Sequence, residues 1–108
     1  MKLHTVGYIL DNLKIDDIAY CYKGACEGMF VFIDQLDDNY LKNINRNGEV
    51  SECFCFRTTG SETEEDQKQW LFLNELEEGE LKTKIIASMA KSIVKSTKKS
   101  INLKCFKK

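Results

Sequence analysis

The sequence predicts a single α+β domain over residues 1–108, an antiparallel sheet of about five strands with a long C-terminal helix packed on one face. Three observations carry that expectation. Several short runs are rich in β-branched and aromatic residues, the last third repeats apolar residues at helical spacing, and no proline, Gly/Ser linker or internal repeat divides the chain. A chain of 108 residues buries roughly 60 to 70% of the surface its unfolded form exposes, enough for one core and too little for two.

Residues 4–14 place Val6, Ile9, Leu10 and Leu13 at helical intervals and read as a helix, an edge strand over residues 4–10 being the alternative. Residues 18–22 and 29–33 are dominated by β-branched and aromatic side chains. Between them lies Gly24-Ala25-Cys26-Glu27-Gly28, so the pair reads as a hairpin whose glycines permit positive φ angles. Leu36, Tyr40, Leu41 and Ile44 then follow a helical stripe. Asp37 and Asp38 would sit near its positive N-terminal end and Asn47-Gly48 would stop it, which predicts a short helix of about ten residues.

Residues 50–58 alternate and residues 69–73 form another strand-like run, a second predicted hairpin around a polar loop at 60–68. The competing reading starts a helix at Ser61, where Ser61 and Glu64 have capping-box spacing, and carries it through Trp70 and Leu73. Leu81, Ile85, Ile86, Met89, Ala90, Ile93 and Val94 recur every three or four residues, and Glu78/Lys82 and Glu80/Lys84 are favourably ordered pairs one turn apart. This is the strongest helical signal in the chain. Ile101, Leu103 and Cys105 alternate with Asn102, Lys104 and Phe106, predicting a short final strand.

Four of these strands each place two aromatics two residues apart, Tyr20/Tyr22, Phe30/Phe32, Phe54/Phe56 and Trp70/Phe72, so both rings of a pair share one face. The intervening positions, such as Val31, Cys53, Cys55 and Leu71, are apolar too. Both faces of the sheet therefore need cover. The long helix covers one; the shorter helical segments cover the other, or that face is a docking surface for a partner or a second copy.

Charge is divided along the chain. Residues 1–81 hold seventeen carboxylates against seven basic groups, a formal −10, whereas residues 82–108 hold nine lysines and no carboxylate. Such asymmetry points to a charged partner or to a tail folded on its own body. The longest wholly apolar run, residues 29–33, is far below the ~20 residues that span a bilayer, and no signal pattern opens the chain. Five cysteines form an odd set, favouring reduced thiols in a cytoplasmic protein without a membrane partner.

No motif has spacing that catalysis demands. Gly24-Ala25-Cys26-Glu27-Gly28 has the outline of a nucleophile elbow, but a helix should follow it and a histidine should stand alongside; a strand follows here, and the one histidine is His4. Cys21 and Cys26 are five apart, and Cys53 and Cys55 share one strand face without a Cys-x-x-Cys pair, so small buried hydrophobes account for them better than a metal does. We expect no enzyme activity, cofactor or metal. The carboxylates Glu62, Glu64, Glu65 and Asp66, followed by Glu75, Glu77 and Glu78, form the leading candidate site. An acidic segment of this kind steers and docks another protein with a basic surface, the mode of small inhibitors that act by occlusion, such as immunity proteins, antitoxins and phage inhibitors. The alternative is a nucleic-acid accessory protein using Lys84, Lys91, Lys95 and Lys98, although arginines and interleaved aromatics are missing from that stretch. A homodimer closed over an apolar sheet face is the third expectation.

Overall fold

Residues 1–52 and 65–106 are described by the structure, a computed structural model, with side chains described as far as Thr97. The elements run α1 (Val6–Asn12), β1 (Ala19–Cys21), β2 (Phe30–Asp34), β3 (Tyr40–Ile44), β4 (Val50–Ser51), β5 (Trp70–Phe72), a 3-10 turn (Leu73–Glu75) and α2 (Glu80–Phe106). The strands form one antiparallel sheet in the order β4-β3-β2-β1-β5. The α+β class, the five-stranded antiparallel sheet and the C-terminal helix are as the sequence predicts.

Strand alternation divides the core into two layers. On one face Ala19, Cys21, Val31, Trp70 and Phe72 pack with Ile9 of α1. On the other, Tyr20, Phe30, Ile44 and Leu71 pack with Ile85 and Met89 of α2. Tyr20, Phe30, Trp70 and Phe72 are thus core residues of a helix–sheet–helix sandwich with Tyr22 and Phe32 packed against it, and each fully buried large side chain stabilises it by roughly 1.5 to 3 kcal/mol. At the β5 edge α1 is fixed by Thr5, whose hydroxyl accepts the Tyr8 N–H at 3.3 Å, while Asn12 Nδ2 donates to the Tyr8 carbonyl at 2.9 Å.

The first predicted hairpin is present, with Gly24 and Gly28 at φ +96° and +91°. The predicted helix over residues 36–44 is not. Tyr40–Ile44 is β3, paired with β2 in the register Asp34↔Tyr40 to Phe30↔Ile44. Asp38 and Asn39 take φ +52° and +59°, and Tyr40 N–H donates to the Asp37 carbonyl at 2.9 Å, the two-residue turn that Asp and Asn favour in hairpins. Leu36, which the helical stripe would bury, is 99% exposed. Lys42 then ties the turn to its strand, donating to Asp37 at 2.7 Å and Asp34 at 3.0 Å. Those hydrogen bonds, Asp37 first, hold the Lys42 ammonium above its ordinary range, and Lys42 in return holds the Asp34 carboxyl below its own.

Asn47-Gly48 closes the β3–β4 hairpin instead of stopping a helix: Gly48 N–H donates to the Asn45 carbonyl at 2.9 Å, and Asn45 Oδ1 accepts from the Asn47 and Glu49 N–H groups. The second predicted hairpin is also corrected. β4 and β5 stand at opposite edges of the sheet, and β5 pairs with β1 through Ala19↔Phe72 and Cys21↔Trp70. Because Trp70–Phe72 is a strand, no helix begun at Ser61 continues through it; residues 53–64, including Phe54, Phe56, Cys53 and Cys55, lie outside the described residues. The final strand predicted from Ile101 is replaced by helix, since α2 runs on to Phe106 with no glycine or proline to end it.

From Glu80 to Ser96 α2 rises about 24 Å, enough to cross four inter-strand spacings of about 4.8 Å each. It starts beside β5 and meets the β3–β4 turn at Lys95, whose Nζ donates to the Arg46 carbonyl at 3.2 Å. No helix among the described residues is long and apolar enough to cross a membrane.

Candidate functional site

Two segments far apart in sequence meet at the end of the sheet where β5 runs into the 3-10 turn. Asp17 Oδ1 accepts the Ile18 N–H at 2.7 Å and the Asn74 N–H at 3.1 Å, while Asn74 Nδ2 donates to the Asp16 carbonyl at 3.3 Å. A further bond from Leu73 N–H to the Ile18 carbonyl at 2.8 Å completes the seam. The Asp-Asp pair is held there because its carboxylate and carbonyl satisfy backbone and amide groups that the end of β5 leaves open.

The seam forms one wall of an open cleft of about 400 Å³, lined by Tyr8 and Asn12 from α1, Lys14, Asp16 and Asp17 from the connector, and Phe72, Asn74 and Glu75. His4 lies behind the floor, 6% exposed, its ring stacked on Tyr8 at 4.4 Å and 9° and tilted against Phe72 at 5.4 Å. Its Nε2 is 2.7 Å from Glu75 Oε1, which fixes one carboxylate oxygen at the rim. Tyr8 and Phe72 are themselves edge-to-face at 6.2 Å. The Asp16 carboxylate has no ion-pair partner among the described residues. An aromatic wall with carboxylates at its rim and one lysine at its side suits a cationic group better than an anion or a neutral ring.

The acidic residues singled out in the sequence are not gathered into one patch. Glu65 and Asp66 lie in an exposed turn before β5, Glu65 engaged by Lys68 at 3.2 Å. Glu75, Glu77 and Glu78 lie beyond the other end of that strand, with Glu78 paired to Lys82 at 3.0 Å. Glu62 and Glu64 fall outside the described residues. The sequence reading missed Asp16 and Asp17, which join Glu75 in the cleft; the visible signal was two adjacent carboxylates just before a buried strand. Of the lysines, Lys84 pairs with Glu80 at 3.3 Å, Lys95 donates to Arg46, and Lys91 is exposed; the Lys98 side chain lies outside the described residues.

The Gly24-Ala25-Cys26-Glu27-Gly28 stretch is a turn between two strands, closed by Gly28 N–H on the Cys21 carbonyl at 3.0 Å and Met29 N–H on the Cys26 carbonyl at 2.9 Å. Burial pushes the Cys26 thiol up, the opposite of nucleophile activation. Among the described residues no three His, Cys, Asp or Glu side chains converge as a metal-holding group. Comparison with protein-family models, curated proteins and solved structures gives no match.

Proposed function

We propose that this protein is a small, non-catalytic binding module that occludes a basic surface of another protein, taking a lysine or arginine side chain into the cleft that Tyr8 and Phe72 wall together with Asp16 and Glu75. The observation that carries the reading is the cleft itself: an aromatic wall, Asp16 and the fixed Glu75, brought together from segments more than fifty residues apart. Glu77 extends the negative field beyond the rim, and Glu78 stands beside it, offset by Lys82. Partners of this kind are drawn in by long-range attraction and held by short ion pairs over a ring.

The test is isothermal titration of a hexa-arginine peptide into the full chain at low and moderate salt. Binding is expected, weakening with salt and falling about tenfold in Asp16→Asn and again in Glu77→Gln/Glu78→Gln. Absence of binding at low salt, or binding equal in these variants and the parent, would overturn the proposal. The nucleic-acid reading stands second: Lys84, Lys91 and Lys95 share one flank of α2, but two of the three are already engaged within the chain.

A further inference from the structure

The long helix carries more apolar surface than its own sheet consumes. Leu81, Ile85 and Met89 face the sheet with Ser92, whereas Ile86, Ala90, Ile93 and Val94 form a second stripe at helical spacing beside the first. Ile86, Ile93 and Val94 are 46%, 49% and 52% exposed. Ile93 also closes an apolar cleft of about 450 Å³ whose other walls include Ile15, Phe32 and Ile33. Stripe and cleft make one continuous apolar surface, of the kind that marks an interaction site on a protein this small.

The charges beside the stripe identify what covers it. At the N-terminal end of α2 stand Glu75, Glu77, Glu78 and Glu80 against Lys82 and Lys84, a formal −2, with Glu78 and Glu80 paired to those lysines; from Lys91 to the last residue there are seven lysines and no carboxylate. A parallel neighbour would set lysine against lysine along that half. An antiparallel copy sets each lysine-rich half against an acidic end, with small Ala90 at the crossing where two backbones approach most closely. We propose that the partner of this face is a second copy of the chain, docked antiparallel along α2 about a two-fold axis near Ala90, so that Ile86 of one copy meets Val94 of the other and each Ile93 cleft receives an aliphatic side chain. Asp16 and Asp17 line both the Ile93 cleft and the acidic one, so the two share a wall.

Light scattering on the full chain under reducing conditions, at about 100 µM and at low and high salt, tests the proposal. The expected mass is twice the 12.5 kDa of one chain. Val94→Glu and Ile86→Glu should each raise the dissociation constant at least about tenfold while leaving the thermal melt of the monomer in place, because both side chains are already half in water. High salt should weaken the dimer by screening the opposed charges. A monomer at every concentration overturns the proposal. So does a dimer indifferent to both substitutions, which would use another face, or one that tightens with salt, which would be parallel.

Discussion

Cys21 has no exposed surface; it packs with Ile9, Val31 and Trp70, and its Sγ donates to the Lys23 carbonyl at 3.1 Å. Burial, reinforced by the neighbouring Cys26, pushes its thiol up to about 12. An unfolded chain releases that proton near pH 8.5, so the native state holds a proton the unfolded state has lost, and stability falls as pH rises from there towards 12. Cys21→Ala should therefore be less stable than the parent at pH 7 through lost packing, yet show a shallower decline between about pH 9 and 11 in urea unfolding. Equal slopes would show that this thiol does not titrate with folding. Cys53, Cys55 and the Cys105 side chain lie outside the described residues, but that Cys21 serves as a small hydrophobe was legible in the sequence, from the absence of paired metal spacing. That Asp16 and Asp17 belong to the candidate site was not, because only the fold of the chain brings residue 74 to residue 17.

At the scale of elements, the β3–β4 turn seats the long helix. Gly48 is buried at φ +81°, and a Cβ there would come within 2.6 Å of Lys95 Cβ and 2.7 Å of the Ser96 nitrogen. Gly48→Ala meets both a backbone conformation that alanine resists and a helix that cannot yield, so a loss of about 1 to 3 kcal/mol is expected in chemical denaturation. A loss under about 0.5 kcal/mol would mean that the turn moves away from the helix freely. The same turn shows why part of the fold was hidden. Hairpins punctuated by glycine, and the long run from Leu81, announce themselves through local chemistry. Residues 36–44 do not, since Leu36, Tyr40, Leu41 and Ile44 satisfy helical spacing by coincidence, while the deciding residues, Asp38 and Asn39, act by tolerating positive φ. Residues 101–106 failed in the opposite sense: six alternating residues are too short a pattern to outweigh an uninterrupted helix before them.

Across the whole molecule, α1 and α2 lie on opposite faces of one sheet, and strands β1, β2 and β5 contribute side chains to both layers. Neither layer can be lost without exposing the back of the other. Trp70, 3% exposed, reports on the α1 layer, whereas far-ultraviolet circular dichroism is dominated by α2. The two signals should follow one urea transition with a shared midpoint; separate midpoints would show that the layers melt independently. The N-terminus adds a constraint of its own. His4 exchanges backbone hydrogen bonds with Trp70 on the side of β5 away from β1, and its carbonyl also accepts the Gln69 N–H. A five-stranded ribbon with a bare margin invites end-to-end growth into fibres. One stitch made by a single residue near the start of the chain closes that margin, so trimming the first few positions would do more than shorten a tail: it would uncover a template on which further strands can add.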